Sequence, residues 1–444
     1  MANPELPVPD GLVLRPFRGV RFTIDDLAKV TSPPYDLIDE SAVRDLLDSH
    51  PNNVVRLILP GADHHRYAQA RETLRAWLSH GVLAPDETPA VYVYEQSGPG
   101  ILQRGLIGDV GLAGPEQQVI LPHEDVMPGP VADRLALMRT TEANLEPIFL
   151  LYDGDGGTAT LLVDRVAASR PPLAEAQTRD GVRHRLWAIT DPDELTALDA
   201  DLRARQALIA DGHHRYATYL TLQREHHALR QEHHGTGTMD GTDGTDGTST
   251  TGRPKPGPWD FGLALLVDST SYPPNLKAIH RVIPGLPLEE ALMRAEGAWQ
   301  VHRHADLAEG LTALRNATEP AYLLSAGTQS YLLTDPDPGQ VEQAMPANRS
   351  ARWRALNTSV LSEFLLPKVW GRVDDEQTVR IVHHDPEAAV RLASESGGTA
   401  VLLNPLTVDD VLAVAAQEER VPRKSTSFGP KPRTGLVLRT FAFD

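Results

Sequence analysis

A mixed α/β fold is predicted for this chain by three observations. Short apolar runs of strand length recur along it, segments of helical periodicity stand between them, and the two kinds alternate almost to the end. Neither a Rossmann glycine fingerprint nor a Walker lysine loop is present, so the common nucleotide-binding folds have no support.

Strands are expected at Val54–Leu59, Ala90–Tyr94, Gly105–Val110, Pro147–Leu151 and Arg183–Ile189. Helices are expected at Ser41–Asp48, His65–His80, Ala132–Ala143, Pro192–Arg205 and His213–Glu232. Residues 235–258 hold a Gly-Thr-Asp near-repeat and a proline-rich end, a composition that cannot bury a core and reads as a flexible surface insertion. A buried-strand pattern resumes at Phe261–Val267. Short elements then alternate, among them Glu289–Glu296, Ala305–Arg315, Ala321–Ser325, Val379–His383, Pro386–Ser394 and Thr399–Asn404. The expected division is therefore an N-terminal α/β region at 1–234, the insertion, and a C-terminal α/β region at 259–444. Gly11–Phe17 nearly repeats at Gly435–Phe441, and the two ends are expected to pair or to take equivalent sheet positions.

Charge and composition narrow the function. The 444 residues carry a net charge of −18, which argues against a nucleic-acid or anionic-membrane partner, where basic patches supply most of the affinity. There is no cysteine, so thiolate catalysis and sulfiredoxin-type redox repair are excluded. No apolar run approaches a membrane span and Met1–Asp10 has no apolar signal region, so a cytoplasmic chain is expected.

The most informative stretch is Ala210-Asp211-Gly212-His213-His214-Arg215-Tyr216. It lies where the apolar run Ala207–Ile209 turns into a helix. Unpaired amides and the positive end of the helix dipole favour an anion there. Gly212 can take φ > 0, Arg215 offers a planar donor fork, and the histidines can move protons near neutral pH. Ala62–Ala68 imitates the stretch without its glycine and is read as an echo without function.

A second candidate is the irregular loop Leu121-Pro122-His123-Glu124-Asp125, with Asp133-Arg134 after a Met-Pro-Gly-Pro turn; Glu124 could be a general base or metal ligand and His123 its neighbour or a donor to phosphate. Asn144 is either a helix cap or a ligand amide. Leu276–Arg281 forms a cationic cluster containing His280 and Arg281. Lys424-Ser425-Thr426, with Lys431 beyond a glycine turn, suits phosphate oxygens. His226, His227, His233 and His234 approach the insertion and are expected to be exposed. No H-E-x-x-H metal signature and no G-x-S-x-G elbow occurs.

The Asp-Gly-His-His-Arg turn resembles the signature of the ParB/sulfiredoxin-like superfamily. Pro122-His123-Glu124 followed by Asp211–Arg215 is similar to the pattern of free L-serine kinases. Over residues ~11 to 440 the chain resembles a large bacterial and archaeal family of conserved proteins described as a domain of unknown function. The resemblance rests on Pro33-Pro34-Tyr35-Asp36, Leu121–Glu124, Ala132–Leu135, Asn144–Ile148, Ile209–Tyr216, His280–Val282 and the tail Lys424–Gly435. It implies a ParB/sulfiredoxin-like core elaborated by further α/β segments. It also implies a Mg²⁺-dependent phosphotransferase, with Glu124 taking a proton from a small hydroxyl substrate such as free serine. His123, Asp211 and His213 would join the catalytic group and Asp211 would bind the metal. Gly212, His214, Arg215, Lys424, Ser425, Thr426 and Lys431 would hold phosphate. Asp36, Asn144, Tyr216, His280 and Arg281 would contact substrate, and ATP, ADP and pyrophosphate are all open as donors. The alternative is a ParB-like nucleotide-binding switch or DNA-associated module without small-molecule kinase activity.

Overall fold

The computed structural model describes residues 6–235, 256–375 and 377–444, and the side chains of 232–235 fall outside that description. Residues 236–255, most of the expected insertion, therefore lie outside it, as do the side chains of His233 and His234. The chain forms a mixed α/β fold as two compact units. One comprises Met1–Leu121, Val126–Pro274 and Pro430–Asp444; the other comprises Pro122–Asp125 and Asn275–Gly429. The helix before residues 236–255 and the strand after them, Phe261–Asp268, belong to the same unit.

The first unit is built on a mixed nine-stranded sheet. Its path runs from Ile120–Leu121 through Ala207–Asp211, Ile148–Tyr152, Phe261–Asp268, Ile101–Gly111, Val91–Gly98 and Arg183–Ile189 to Ala174–Gln177, with Leu14–Arg15 pairing onto Ile101–Gly111. The central strands are apolar on both faces, the pattern of a covered sheet. Ile148, Leu150, Ile209, Leu266, Tyr216 and Leu220 share one core. Ala207–Asp211 runs antiparallel to Ile148–Tyr152, and its register breaks between Ile209 and Asp211. Such irregularities re-aim a side chain at a strand end, and here that side chain is Asp211.

The second unit carries a six-stranded antiparallel sheet in the order Gln300–His304, Gln329–Thr334, Tyr322–Ala326, Thr399–Leu402, Ile279–Ile283, Arg380–His383. Residues of the helices Leu307–Asn316 and Pro386–Glu395 pack on it around Val282, Leu323, Leu332 and Leu402. A small ribbon pairs Asn275–Leu276 with Phe428–Gly429.

Three expectations are corrected. Val54–Leu59 contains a short helix, Val55–Ile58, rather than a strand. The Asn53 side chain accepts from the Val55 amide at 3.0 Å and starts the turn, a local signal that outweighs a short apolar run. The two repeated ends do not pair with each other: Leu14–Arg15 pairs with Val110 and Asp109, and Arg439–Thr440 pairs with Asn144 and Ala143. Their equivalent arginines instead share one buried carboxylate, Arg15 reaching Asp109 at 3.1 Å and Arg439 at 2.6 Å. His227 is buried rather than exposed, with Nε2 2.7 Å from Asp260, and His226 stacks on Trp259.

Candidate functional site

In the first unit the family-like motifs meet in one charged cluster. Asp211 ends its strand beside Gly212, whose φ is +95°, and the helix His213–Gly235 begins at the next residue. Asp211 receives Arg215 Nη2 on one oxygen and Lys431 Nζ on the other, both at 2.5 Å. Lys431 Nζ also lies 2.5 Å from Asp36 Oδ2. Three separated segments, Pro33–Asp36, Asp211–Tyr216 and the C-terminal tail, thus converge on one lysine.

The cluster continues inward. Arg215 is buried, donates to the Pro147 carbonyl at 2.6 Å and interacts electrostatically with Glu146. Glu146 lies 3.9 Å from Arg134, which pairs with Asp133 at 2.5 Å; Asp133 in turn holds Arg66 at 2.9 Å. Two guanidinium groups lie near the Tyr35 ring, Arg134 at 4.5 Å from its centroid and Arg215 at 5.9 Å. Arg134, Glu146 and Arg215 line a cavity with Leu137, Met138 and Tyr219. Glu146 and Tyr35 are not among the residues the sequence singles out. The signal was available, since each falls within a stretch that carried the resemblance.

Protonation follows from these contacts. Burial pushes the Asp211 carboxyl up, but the Arg215 guanidinium and the Lys431 ammonium outweigh it and hold it below the usual range. Burial pulls Lys431 down, and Asp211 and Asp36 more than compensate. Glu146 is raised, because burial dominates its arginine neighbours.

The other predicted residues of this unit divide clearly. His213 is buried at the start of the helix. His214 Nε2 accepts from the Met127 amide at 3.1 Å, so its ring proton is on Nδ1 when neutral. Tyr216 is a core anchor: its hydroxyl donates to the Ala113 carbonyl at 2.6 Å and accepts from the Ala113 amide at 3.0 Å. Asn144 is buried, and its Oδ1 accepts from the Leu263 amide and from Arg439 Nη1. It does not cap the preceding helix, which ends on Glu142 in the left-handed region. In the echo at Ala62–Ala68, Arg66 and Tyr67 both bond Asp133.

In the second unit, His123 and Glu124 meet the tail stretch Lys424–Ser427. The Thr426 hydroxyl donates to Glu124 Oε1 at 2.7 Å and lies 2.9 Å from His123 Nε2. The His123 ring is fully buried and packs edge-on to Phe428, whereas about a third of the Glu124 side chain, 32%, is exposed. Ser425 donates to the Pro422 carbonyl at 2.6 Å, and Lys424 is exposed with φ +53°. Arg281 is fully buried and donates to the carbonyls of Ile279, Arg423 and Lys424, so it braces the loop from beneath. His280 accepts from the Leu403 amide; burial pushes it down to about 4, and Arg281 adds to the shift.

What the fold and these clusters define is a mixed α/β chain whose first unit holds an acid–lysine–acid cluster at a helix start and whose second unit holds a histidine–threonine–glutamate cluster. The chain belongs to the family described as protein of unknown function DUF1015, whose model matches residues 14–359. No curated protein matches it. Among solved structures it is similar to a free serine kinase variant in complex with ADP, at 13% identity and a TM-score of 0.33, covering 77% of this chain and 94% of that one. A conserved hypothetical protein from Pyrococcus furiosus gives 13% identity and a TM-score of 0.33, covering 77% of this chain and 97% of that one. SbnI with a C-terminal truncation from Staphylococcus aureus gives 10% identity and a TM-score of 0.36, covering 76% and 88% respectively. No helix among the described residues is long and apolar enough to cross a membrane.

Proposed function

We propose that this chain is a Mg²⁺-dependent phosphotransferase acting on a small hydroxyl substrate, on a core of the ParB/sulfiredoxin-like kind. The observation that carries the reading is the convergence of Asp36, Lys431 and Asp211 at the start of the helix His213–Gly235. Two carboxylate oxygens there point at one cation, next to helix amides suited to phosphate. Mg²⁺ takes few protein ligands and completes its shell with water and phosphate oxygens. Asp36 and Asp211 fit that need, and the ion would supply charge neutralisation to the phosphates.

The roles follow. Lys431 stands within reach of a phosphate once it leaves a carboxylate. Arg215 orients Asp211 rather than touching phosphate, because its donors are turned inward to Asp211 and Pro147. Glu124 is assigned as the base. The acceptor oxygen forms a bond to the terminal phosphorus, the bond from phosphorus to the donor's bridging oxygen breaks, and the acceptor proton passes to Glu124. Free L-serine is the first acceptor to test, since Pro122–Glu124 and Asp211–Arg215 resemble the free serine kinase pattern.

Purified protein is incubated with serine, Mg²⁺ and ATP, ADP or pyrophosphate in turn, and phosphoserine is followed by mass spectrometry. Product with one donor, lost at least 100-fold in Glu124→Gln, is expected. No product from the unaltered chain with any donor, in serine or in a panel of small alcohols, overturns the reading.

A further inference from the structure

Thr426 is expected from the sequence to bind phosphate, but its one hydroxyl proton is committed to a different task in the second unit. A threonine hydroxyl has one proton to give. Here that proton goes to Glu124 Oε1 at 2.7 Å. A phosphate oxygen is an acceptor, so Thr426 cannot serve phosphate while it serves Glu124. The contact with His123 Nε2 at 2.9 Å is then directional as well: the imidazole N–H donates to the threonine oxygen. The result is a directed chain, His123 Nε2–H to Thr426 Oγ1–H to Glu124 Oε1.

Every part of this chain except its end is fixed. The His123 ring is fully buried against Phe428, and its carbonyl accepts from the Val421 amide at 2.9 Å. Thr426 sits on a loop pinned on both sides. Arg281 holds the carbonyls of Arg423 and Lys424, the Ser427 carbonyl accepts from Lys277, and Phe428–Gly429 pairs with Asn275–Leu276. Glu124, at the end of the chain, is partly exposed, where an acceptor can reach it.

We propose that Thr426 is a positioning residue for Glu124, its hydroxyl passing the fixed orientation of His123 on to the carboxylate that takes the acceptor's proton. The inference rests on the phosphotransfer reading and names a residue that sets the geometry of its base. Losing such a support costs activity by roughly 10–100-fold, because a base displaced by an ångström no longer meets the acceptor hydroxyl.

The test measures kcat and KM for donor and acceptor in the full-length protein, for the unaltered chain, Thr426→Val, Thr426→Ser and Glu124→Gln. Thermal unfolding of each checks folding. Thr426→Val keeps the shape and removes the hydroxyl; it should lower kcat about 10–100-fold with both KM values within about twofold. Thr426→Ser restores the hydroxyl and should return kcat to within about threefold. Thr426→Val at full kcat overturns the inference. So does a raised donor KM with kcat intact, the mark of a phosphate ligand, and so does Thr426→Ser as slow as Thr426→Val. If Thr426→Val does not fold, Thr426→Ala is read by the same criteria, and a slow, folded Thr426→Ser overturns the inference alone. Full activity in Glu124→Gln, or no product from the unaltered chain, removes the base or the phosphotransfer reading itself, and this inference with it.

Discussion

Replacing Gly212 by alanine tests why a glycine stands between Asp211 and the helix. Two costs arise from the structure. At φ +95° an L-residue is strained by about 1–3 kcal/mol. The added Cβ would also come 3.0 Å from Ile148 Cγ2 and 3.2 Å from Arg215 Nε and Nη2. Ile148 is fully buried in a central strand, and Arg215 is tied to Pro147 and Asp211, so neither yields easily. Overpacking of this kind costs about 1–3 kcal/mol more. The sum is about 2–6 kcal/mol, and with m near 2 kcal/mol per molar the urea midpoint should fall by about 1–3 M. Gly181→Ala is the control: its φ is +81°, but no atom lies within 4 Å of the added Cβ, so only the backbone cost remains. Urea unfolding of both variants, followed by tryptophan fluorescence and circular dichroism, separates the two contributions. If Gly212→Ala loses no more stability than Gly181→Ala, the close approach of Ile148 and Arg215 is not what requires glycine here.

Two further outcomes are expected. Burial and the Arg433 charge push His184 down to about 4, while its Nδ1 lies 2.9 Å from the Tyr94 hydroxyl. The unfolded chain then binds the extra proton between the ordinary value of 6.5 and about 4, so stability is lost as pH falls through that window. The loss amounts to about 3 kcal/mol, and urea midpoints measured across the window should flatten in His184→Gln. Tyr216→Phe strands the amide and carbonyl of Ala113, which should cost about 2–4 kcal/mol in unfolding free energy. It should leave phosphotransfer kinetics within about twofold; a large loss of kcat in a folded variant would return Tyr216 to the substrate side.

The elements most legible in the sequence were those with a long regular pattern. Arg183–Ile189 is a strand with the expected bounds, and the strand Ala207–Asp211 does turn into a helix at His213. Val54–Leu59 failed because six apolar-rich residues carry no decisive period, and a polar side chain just upstream settled the outcome. The repeated ends failed differently. Their likeness is real, but it expresses two arginines converging on Asp109 rather than two strands pairing.

At the site, residue type was legible and residue commitment was not. Asp36, Asp211, Arg215 and Lys431 could be named from their motifs, yet nothing in the sequence says that each already holds a partner. Charge alternates along the whole cluster, Asp36, Lys431, Asp211, Arg215, Glu146, Arg134, Asp133, Arg66, so four carboxylates face four cations. A motif rich in cations therefore does not amount to a surplus of positive charge. A bare phosphate would have to draw Lys431 away from both of its carboxylates and leave them uncompensated, an arrangement disfavoured by several kcal/mol in a partly buried site. A phosphoryl donor arriving with a divalent cation brings two fewer negative charges than the same donor alone. The carboxylates would exchange an ammonium for the ion, and the lysine would be released to the phosphate. The balance of the cluster, more than the identity of any one residue in it, is what favours a metal-bound phosphoryl donor over a free one in the proposed reaction.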